Sequence, residues 1–267
     1  MIKQMKAGVF AIGMVIAMIL FMTAAWFAFT ATNNKITFET RALEPLMDYN
    51  NEYDRFIIYK DESAKMAASQ AFYEIARDAG IDKNQDSCTV YNNYFILSDN
   101  CKPGTNAVRA KFIDIYNTSF NNLMSLYPQY NFRNNIYSVI YSSDRNIIEF
   151  KTDKIRPSSQ VKTDFAVYNL SYEVDPSATV NLSEQDIILE DFEEIYLKII
   201  NAKNSCVGRE ITSCMKSKLE FVRWHFDAEK QGSHLIIKMK TKSSYFYQDA
   251  TSDERFAPVE FNFAIQM

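Results

Sequence analysis

At 267 residues the chain can hold one large domain or two small ones, and 47% apolar content with 23% charged residues, 16 Tyr and 20 Phe excludes an intrinsically disordered protein. All 33 acidic residues and 27 of the 29 basic ones lie beyond residue 30, so that portion is acidic by six charges, which disfavours nucleic acid as a partner. Six glycines, none set as GxGxxG or GxxxxGK[ST], argue against phosphate-cradling loops, and no cofactor is indicated.

Residues 1–6 carry Lys3 and Lys6, and residues 7–30 (AGVFAIGMVIAMILFMTAAWFAFT) then run without a charge. As a helix this segment measures roughly 36 Å, enough to span a bilayer with some tilt, and Trp26, Phe27 and Phe29 fall where an interfacial aromatic belt lies. Lys35 and Arg41 on the far side are accompanied by Glu39 and Glu44, so the positive-inside rule predicts a cytoplasmic stub of residues 1–6, a signal anchor at 7–30 and an extracytoplasmic remainder. Two alternatives share the segment. Thr23-Ala24-Ala25 offers small residues to a signal peptidase. Lys6-Ala7-Gly8-Val9 followed by Ile12-Gly13 resembles, over about thirty residues, the processed leader and apolar helix of archaeal archaellins and pilins; that resemblance implies a filament subunit. Ala7/Ala11 and Gly13/Ala17 are small pairs that allow two helices to approach closely, so a homo-oligomer is a further possibility.

Residues 31–60, with Pro45 and the polar run 48–52, are expected to form a stalk of weak periodicity, and residues 61–267 an α+β domain of about three amphipathic helices packed on antiparallel sheet. From 61 to 79, Ala64, Ala67, Ala68, Ala71, Phe72, Ile75, Ala76 and Ala79 recur at helical spacing before Gly80. Tyr94–Leu97 reads as a short strand with a turn at 98–100. A second helix runs from Thr105 to Tyr127, burying Val108, Phe112, Ile115, Phe120, Leu123, Met124 and Tyr127, and Pro128 ends it. Residues 136–142 and 146–151 read as a hairpin around Ser143-Asp144, and 165–174 as a strand burying Tyr168, Leu170, Tyr172 and Val174.

Ser183 with Asp186 suggests a capped helix over 184–203, burying Ile188, Phe192, Ile195 and Ile199. A turn centred on Lys230-Gln231 would set Val222, Trp224 and Phe226 against Met239, Ile237 and Leu235, and Val259, Phe261, Phe263 and Ile265 alternate into a terminal strand. If the domain has two lobes, the seam falls near 176–183.

The four cysteines form two local pairs, Cys88 with Cys101 and Cys206 with Cys214; locality favours those disulfides, which fit an oxidising compartment, and their spacing is not that of a zinc knuckle. The expected hairpin places His225, His234 and Asp227 on one polar face, a constellation with metal or acid/base potential whose simpler reading is soluble surface. The acidic run Glu184, Asp186, Glu190, Asp191, Glu193 and Glu194 suits a helix N-terminus better than a calcium site. Asn117, Asn169 and Asn181 begin N-x-Ser/Thr patterns, of which Asn181 and Asn169 are the better glycosylation candidates. With no GxSxG or HExxH motif, the chain reads as non-catalytic: an anchored cell-surface domain that binds or assembles with protein partners in the envelope, with an anchored enzyme bearing an unrecognised site as a further alternative.

Overall fold

A computed structural model describes residues 22–23, 37–81, 88–127, 138–142, 145–154, 158–162, 167–171 and 173–267. In chain order the elements are α1 (Thr37–Arg77), β1 (Thr89–Tyr91), β2 (Tyr94–Leu97), α2 (Thr105–Ser125), β3 (Ser138–Ser142), β4 (Ile147–Lys151), β5 (Ser158–Lys162), β6 (Val167–Ser171) and β7 (Ala178–Asn181). A 3-10 turn at Leu182–Gln185 follows, then α3 (Asp191–Ser205), α4 (Ile211–Lys218), β8 (Trp224–Gln231), β9 (His234–Gln248) and β10 (Glu254–Gln266). The class is α+β, with four α-helices among the described residues from Thr37 onward. The apolar segment 7–30 lies outside the described residues apart from Met22 and Thr23, which are helical. Among the described residues no helix is long and apolar enough to cross a membrane.

Two compact units divide the chain: one takes the residues up to Arg55 with Ser159–Leu170, the other Phe56–Ser158 with Ser171–Met267. In the first, the expected stalk proves helical from Thr37. Pro45 and the polar run erase the apolar period there, but a helix already nucleated extends at one hydrogen bond per residue, and exposed Asn51, Asp54 and Arg55 need no packing partner. Of the expected strand 165–174, Val167–Ser171 forms β6, which pairs with β5, a strand the sequence did not suggest, while residues 165, 166 and 172 lie outside the described residues. Tyr172, and the side chains of Tyr168 and Leu170, lie outside the described residues; Val174 is buried.

The second unit contains a five-stranded sheet in the order β1-β2-β10-β9-β8 and a three-stranded sheet in the order β3-β4-β7. The sheets are not wholly antiparallel as expected, because β2 joins β10 in parallel through Ile96↔Ala264 and Leu97↔Ile265. All eight apolar positions anticipated between Ala64 and Ala79 are buried, and so are Ser63 and Ser69, so α1 is covered on more than one side. Alanine permits that close approach. Phe72 meets the rings of Phe192, Trp224 and Tyr245, and Phe56 that of Tyr127. Burying each such ring is worth about 1.5–3 kcal/mol. α2 sets Tyr116 and Phe120 against Phe150 of β4. Tyr116, unread in the sequence, is fully buried, while Ile115 and Leu123 are only half-buried.

At the end of α1, Ala79 and Gly80 both take positive φ, and the Gly80 and Ala79 amides reach back to the carbonyls of Ile75 and Ala76. A Cβ on Gly80 would stand 2.9 Å from that of Pro103, so this position needs glycine for space as well as for conformation.

The expected helix 184–203 is corrected: α3 begins at Asp191, and Ser183 is not its cap. Asn181 Oδ1 instead accepts the Ser183 amide at 3.1 Å, Asp186 turns left-handed, and the irregular stretch that follows buries Ile187 and Leu189 rather than Ile188. The β8–β9 register also differs. The turn falls at Gly232-Ser233, so Trp224 faces Thr241 and Phe226 faces Met239, while Val222 lies outside the strand and is exposed. Moving the turn centre by two residues changes every cross-strand partner yet keeps each side chain on its expected face. Val259, Phe261, Phe263 and Ile265 are all buried, as their alternation requires.

Candidate functional site

Both cysteine pairs are bridged, Cys88–Cys101 and Cys206–Cys214, with Cα separations of 5.2 and 5.9 Å. The first closes β1–β2; the second ties the end of α3 to α4, an eight-residue helix too short to show periodicity, whose first half lies within the closed loop.

The two histidines stand apart. His225, opposite Lys240, lies in a groove of about 300 Å³ with Asp227, Lys238, Glu260 and Asn262. His234 sits at the β8–β9 turn opposite Gln231, its ring stacked 4.2 Å from that of Tyr91. Asp227 faces Lys238, and a hairpin centred on Lys230-Gln231 would have set it opposite His234. Its carboxylate meets Lys216 at 2.5 Å and accepts the Ala228 amide at 2.9 Å, and the Lys216 hydrogen bond holds it below the usual carboxylate range. The acid/base constellation is therefore not assembled. Among the described residues no group of three His, Cys, Asp or Glu side chains could hold a metal ion.

Members of the acidic run are bound one by one to distant elements, a role the helix-dipole argument missed. Asp191 receives the Arg223 guanidinium at both oxygens and the Trp224 indole N–H at 2.9 Å. Glu190 pairs with Arg109. Glu193 accepts the Thr105 amide at 2.8 Å and its hydroxyl, capping α2, whose own Gly104 supplies no side chain; the Thr105 hydroxyl above all keeps this carboxyl low. Asp186 accepts from Ser243 at 2.7 Å. Long-range pairing of this kind leaves no local sequence signal.

Of the glycosylation patterns, Asn181 is half-buried with its amide donating to Glu184, Asn117 lies within α2 bonded to Asn121, and Asn169 lies in β6 with its side chain outside the described residues.

A surface unread in the sequence lies on the far half of the β9–β10 hairpin. β8 pairs with β9 as far as Thr241, and β2 with β10 at Ala264 and Ile265, so among the described residues Ser243–Gln248 and Glu254–Pro258 form a two-stranded ribbon. A bulge between Pro258 and Glu260 marks its root, where the buried Thr241 hydroxyl accepts the Val259 amide at 2.8 Å. The inner face is locked to α1: Tyr247 stacks on Tyr73 at 4.1 Å, and the Gln70 amide bonds both backbone groups of Gln248, at 2.7 and 3.1 Å. On the outer face Phe246 and Phe256 stand directly opposite each other, 37% and 73% exposed. At the tip Asp249 accepts from Thr251 and Asp253 and pairs with Arg255, and the Thr251 hydroxyl is the main cause of its lowered pKa. Asp253 and Glu254 leave the tip net acidic. The outer face of the ribbon thus presents two aromatic rings beside charged side chains.

Comparison with protein-family models, with curated proteins and with solved structures finds no match to the chain.

Proposed function

We propose that this protein is a non-catalytic domain held at the outer face of a membrane by residues 7–30, where it acts by binding or assembly in the cell envelope. The observation that carries the reading is the Phe246/Phe256 pair, exposed on a ribbon whose other face is fastened to α1. A backbone so fixed loses little entropy when a partner covers it. The two disulfides support an oxidising surrounding, and the charge-free run 7–30 supports the anchor.

Two measurements test it. Protease added to intact cells should degrade the domain and leave the N-terminal segment, with all four cysteines mapped as disulfides; a fully protected chain with free thiols overturns the placement. Replacing Phe246 and Phe256 together by Ser should leave the fold intact and lower the mass of the complex extracted in mild detergent. An unchanged complex removes the binding role from the ribbon.

A second reading, a filament subunit with a processed leader, is favoured by one observation: α1 runs unbroken from Thr37, soon after the apolar segment, to Arg77, which lies beyond the stretch Ala64–Ala76 buried in the second unit. N-terminal sequencing separates the two, since a mature start at Gly8 or Val9 marks the subunit and an intact Met1 or Ile2 the anchor.

A further inference from the structure

β8 is the outermost strand of the five-stranded sheet: β9 lies on one side, and among the described residues no strand lies on the other. The Lys242 amide donates to the Arg223 carbonyl at 2.9 Å. Antiparallel bonding alternates along a strand, so the odd residues of β8 bond to β9, and the backbone groups of Trp224, Phe226, Ala228 and Lys230 point outward. The Ala228 amide is held at 2.9 Å by the Asp227 carboxylate, which stands where a neighbouring strand would; among the described residues the outward amide and carbonyl of Phe226 meet no partner. An edge of this kind is a template for a further strand. Beside it opens a cleft of about 450 Å³, lined by Leu219 and Phe221 and by both faces of β8, Trp224 and Phe226 with His225 and Asp227.

The strand complements itself about Phe226. Two antiparallel copies of β8 with a two-fold axis at Phe226 set that ring against its own counterpart, Trp224 against Ala228, and His225 against Asp227. On the inner face large meets small, and on the outer face an imidazole N–H meets a carboxylate twice. The backbone agrees, because 224, 226 and 228 are the residues whose outward groups pair in this register. Ion pairs already made within each copy take no part: Arg223 stays with Asp191 and Glu229 with Lys238. Lys216 and the Ala228 amide both meet Asp227 on Oδ1, which leaves Oδ2 for the second copy's imidazole, and His225 is exposed. The neighbouring registers are worse. An axis at Asp227 opposes two carboxylates, one at Ala228 opposes Asp227 with Glu229, and one at His225 overlaps β8 only from Trp224 to Phe226.

We propose that the free edge of β8 is a self-association site, at which β8 of a second copy adds antiparallel and joins the two five-stranded sheets across a two-fold axis. In the pair the Ala228 amide exchanges Asp227 for the Trp224 carbonyl of the second copy, and Asp227 turns to His225. The ribbon takes no part, so this inference goes beyond the binding role proposed above.

The test places a benzophenone side chain at position 230 of the full-length protein, where Lys230 is exposed and lies opposite Val222 of the second copy in this register. Irradiation in native membranes and in mild detergent should give an adduct of twice the chain mass, linked within residues 220–224. His225→Asp sets two carboxylates against two others and should lower the adduct about fivefold. Mixing the probe-bearing His225→Asp chain with a mass-tagged Asp227→His chain restores both cross-strand pairs, so the mixed adduct should return to the wild-type yield. The Phe246→Ser/Phe256→Ser chain should give that yield as well, which separates this inference from the ribbon's role. No adduct of doubled mass, a link elsewhere in the chain, or a mixed pair no better than His225→Asp alone overturns it.

Discussion

Tyr116 lies on α2 with its ring 4.4 Å from that of Phe150, fully buried, and among the described residues its hydroxyl has no hydrogen-bond partner. Burial pushes its pKa well above the ordinary tyrosine value. A desolvated hydroxyl without a partner costs about 1–3 kcal/mol relative to water, so Tyr116→Phe should stabilise the fold by about 1 kcal/mol in urea unfolding. A loss of stability of that size would show that the hydroxyl is satisfied. Asp191 is the opposite case. Its carboxylate answers the Arg223 guanidinium and the Trp224 indole; the Arg223 side chain keeps 34% of its surface open to water, whereas the buried indole N–H has this carboxylate as its acceptor. Asp191→Ala should therefore cost about 1.5–3 kcal/mol, with a shift in Trp224 fluorescence as the indole loses its acceptor; unchanged emission would show that the indole does not depend on Asp191.

At the scale of elements, α4 has only eight residues and depends on its ends. Glu210 caps it, accepting the amides of Thr212 at 3.2 Å and Ser213 at 2.6 Å, and these contacts, the Ser213 and Thr212 side-chain bonds first among them, lower its pKa from 4.5 to about 2. A depressed carboxylate contributes fully above its unfolded pKa and loses its contribution as pH falls through the folded value. Amide-exchange protection of Thr212 and Ser213 should therefore hold above pH 4.5 and fade toward pH 2, and Glu210→Gln should abolish that pH dependence.

What was legible follows the same local logic. The helical period of 64–79 and the alternation of 259–265 were readable residue by residue because each depends on one buried face. The β8–β9 register was not, because Lys230-Gln231 and Gly232-Ser233 give hairpins with identical faces, and only the positive φ of Gly232 separates them. The ribbon was missed for a related reason. In Tyr245-Phe246-Tyr247 both parities are aromatic, so alternation cannot say which ring faces out until α1 claims the tyrosines.

Over the second unit as a whole, buried side chains of α1, α2 and α3 join those of both larger sheets in one apolar cluster, so this unit should unfold in a single cooperative transition. The disulfides close short loops at its margin, with sequence separations of 13 and 8. On the loop-entropy model they contribute about 3 and about 2.5 kcal/mol, a large share of a typical net stability. Their removal should have different structural consequences. The β1–β2 hairpin is joined to β10 by only two register pairs, Ile96↔Ala264 and Leu97↔Ile265, and the Cys88–Cys101 bridge sits at its base. Without that bridge the hairpin should detach first and bare the β10 edge between Asn262 and Gln266, an apolar strand open to pairing with other chains. Replacing Cys88 and Cys101 by Ser should thus raise amide exchange at Ala264 and Ile265 well below the urea midpoint and promote aggregation, while the Cys206/Cys214 double Ser variant lowers the midpoint with β10 still protected. Equal exchange at Ala264 in the two variants would show that β10 does not depend on the first bridge.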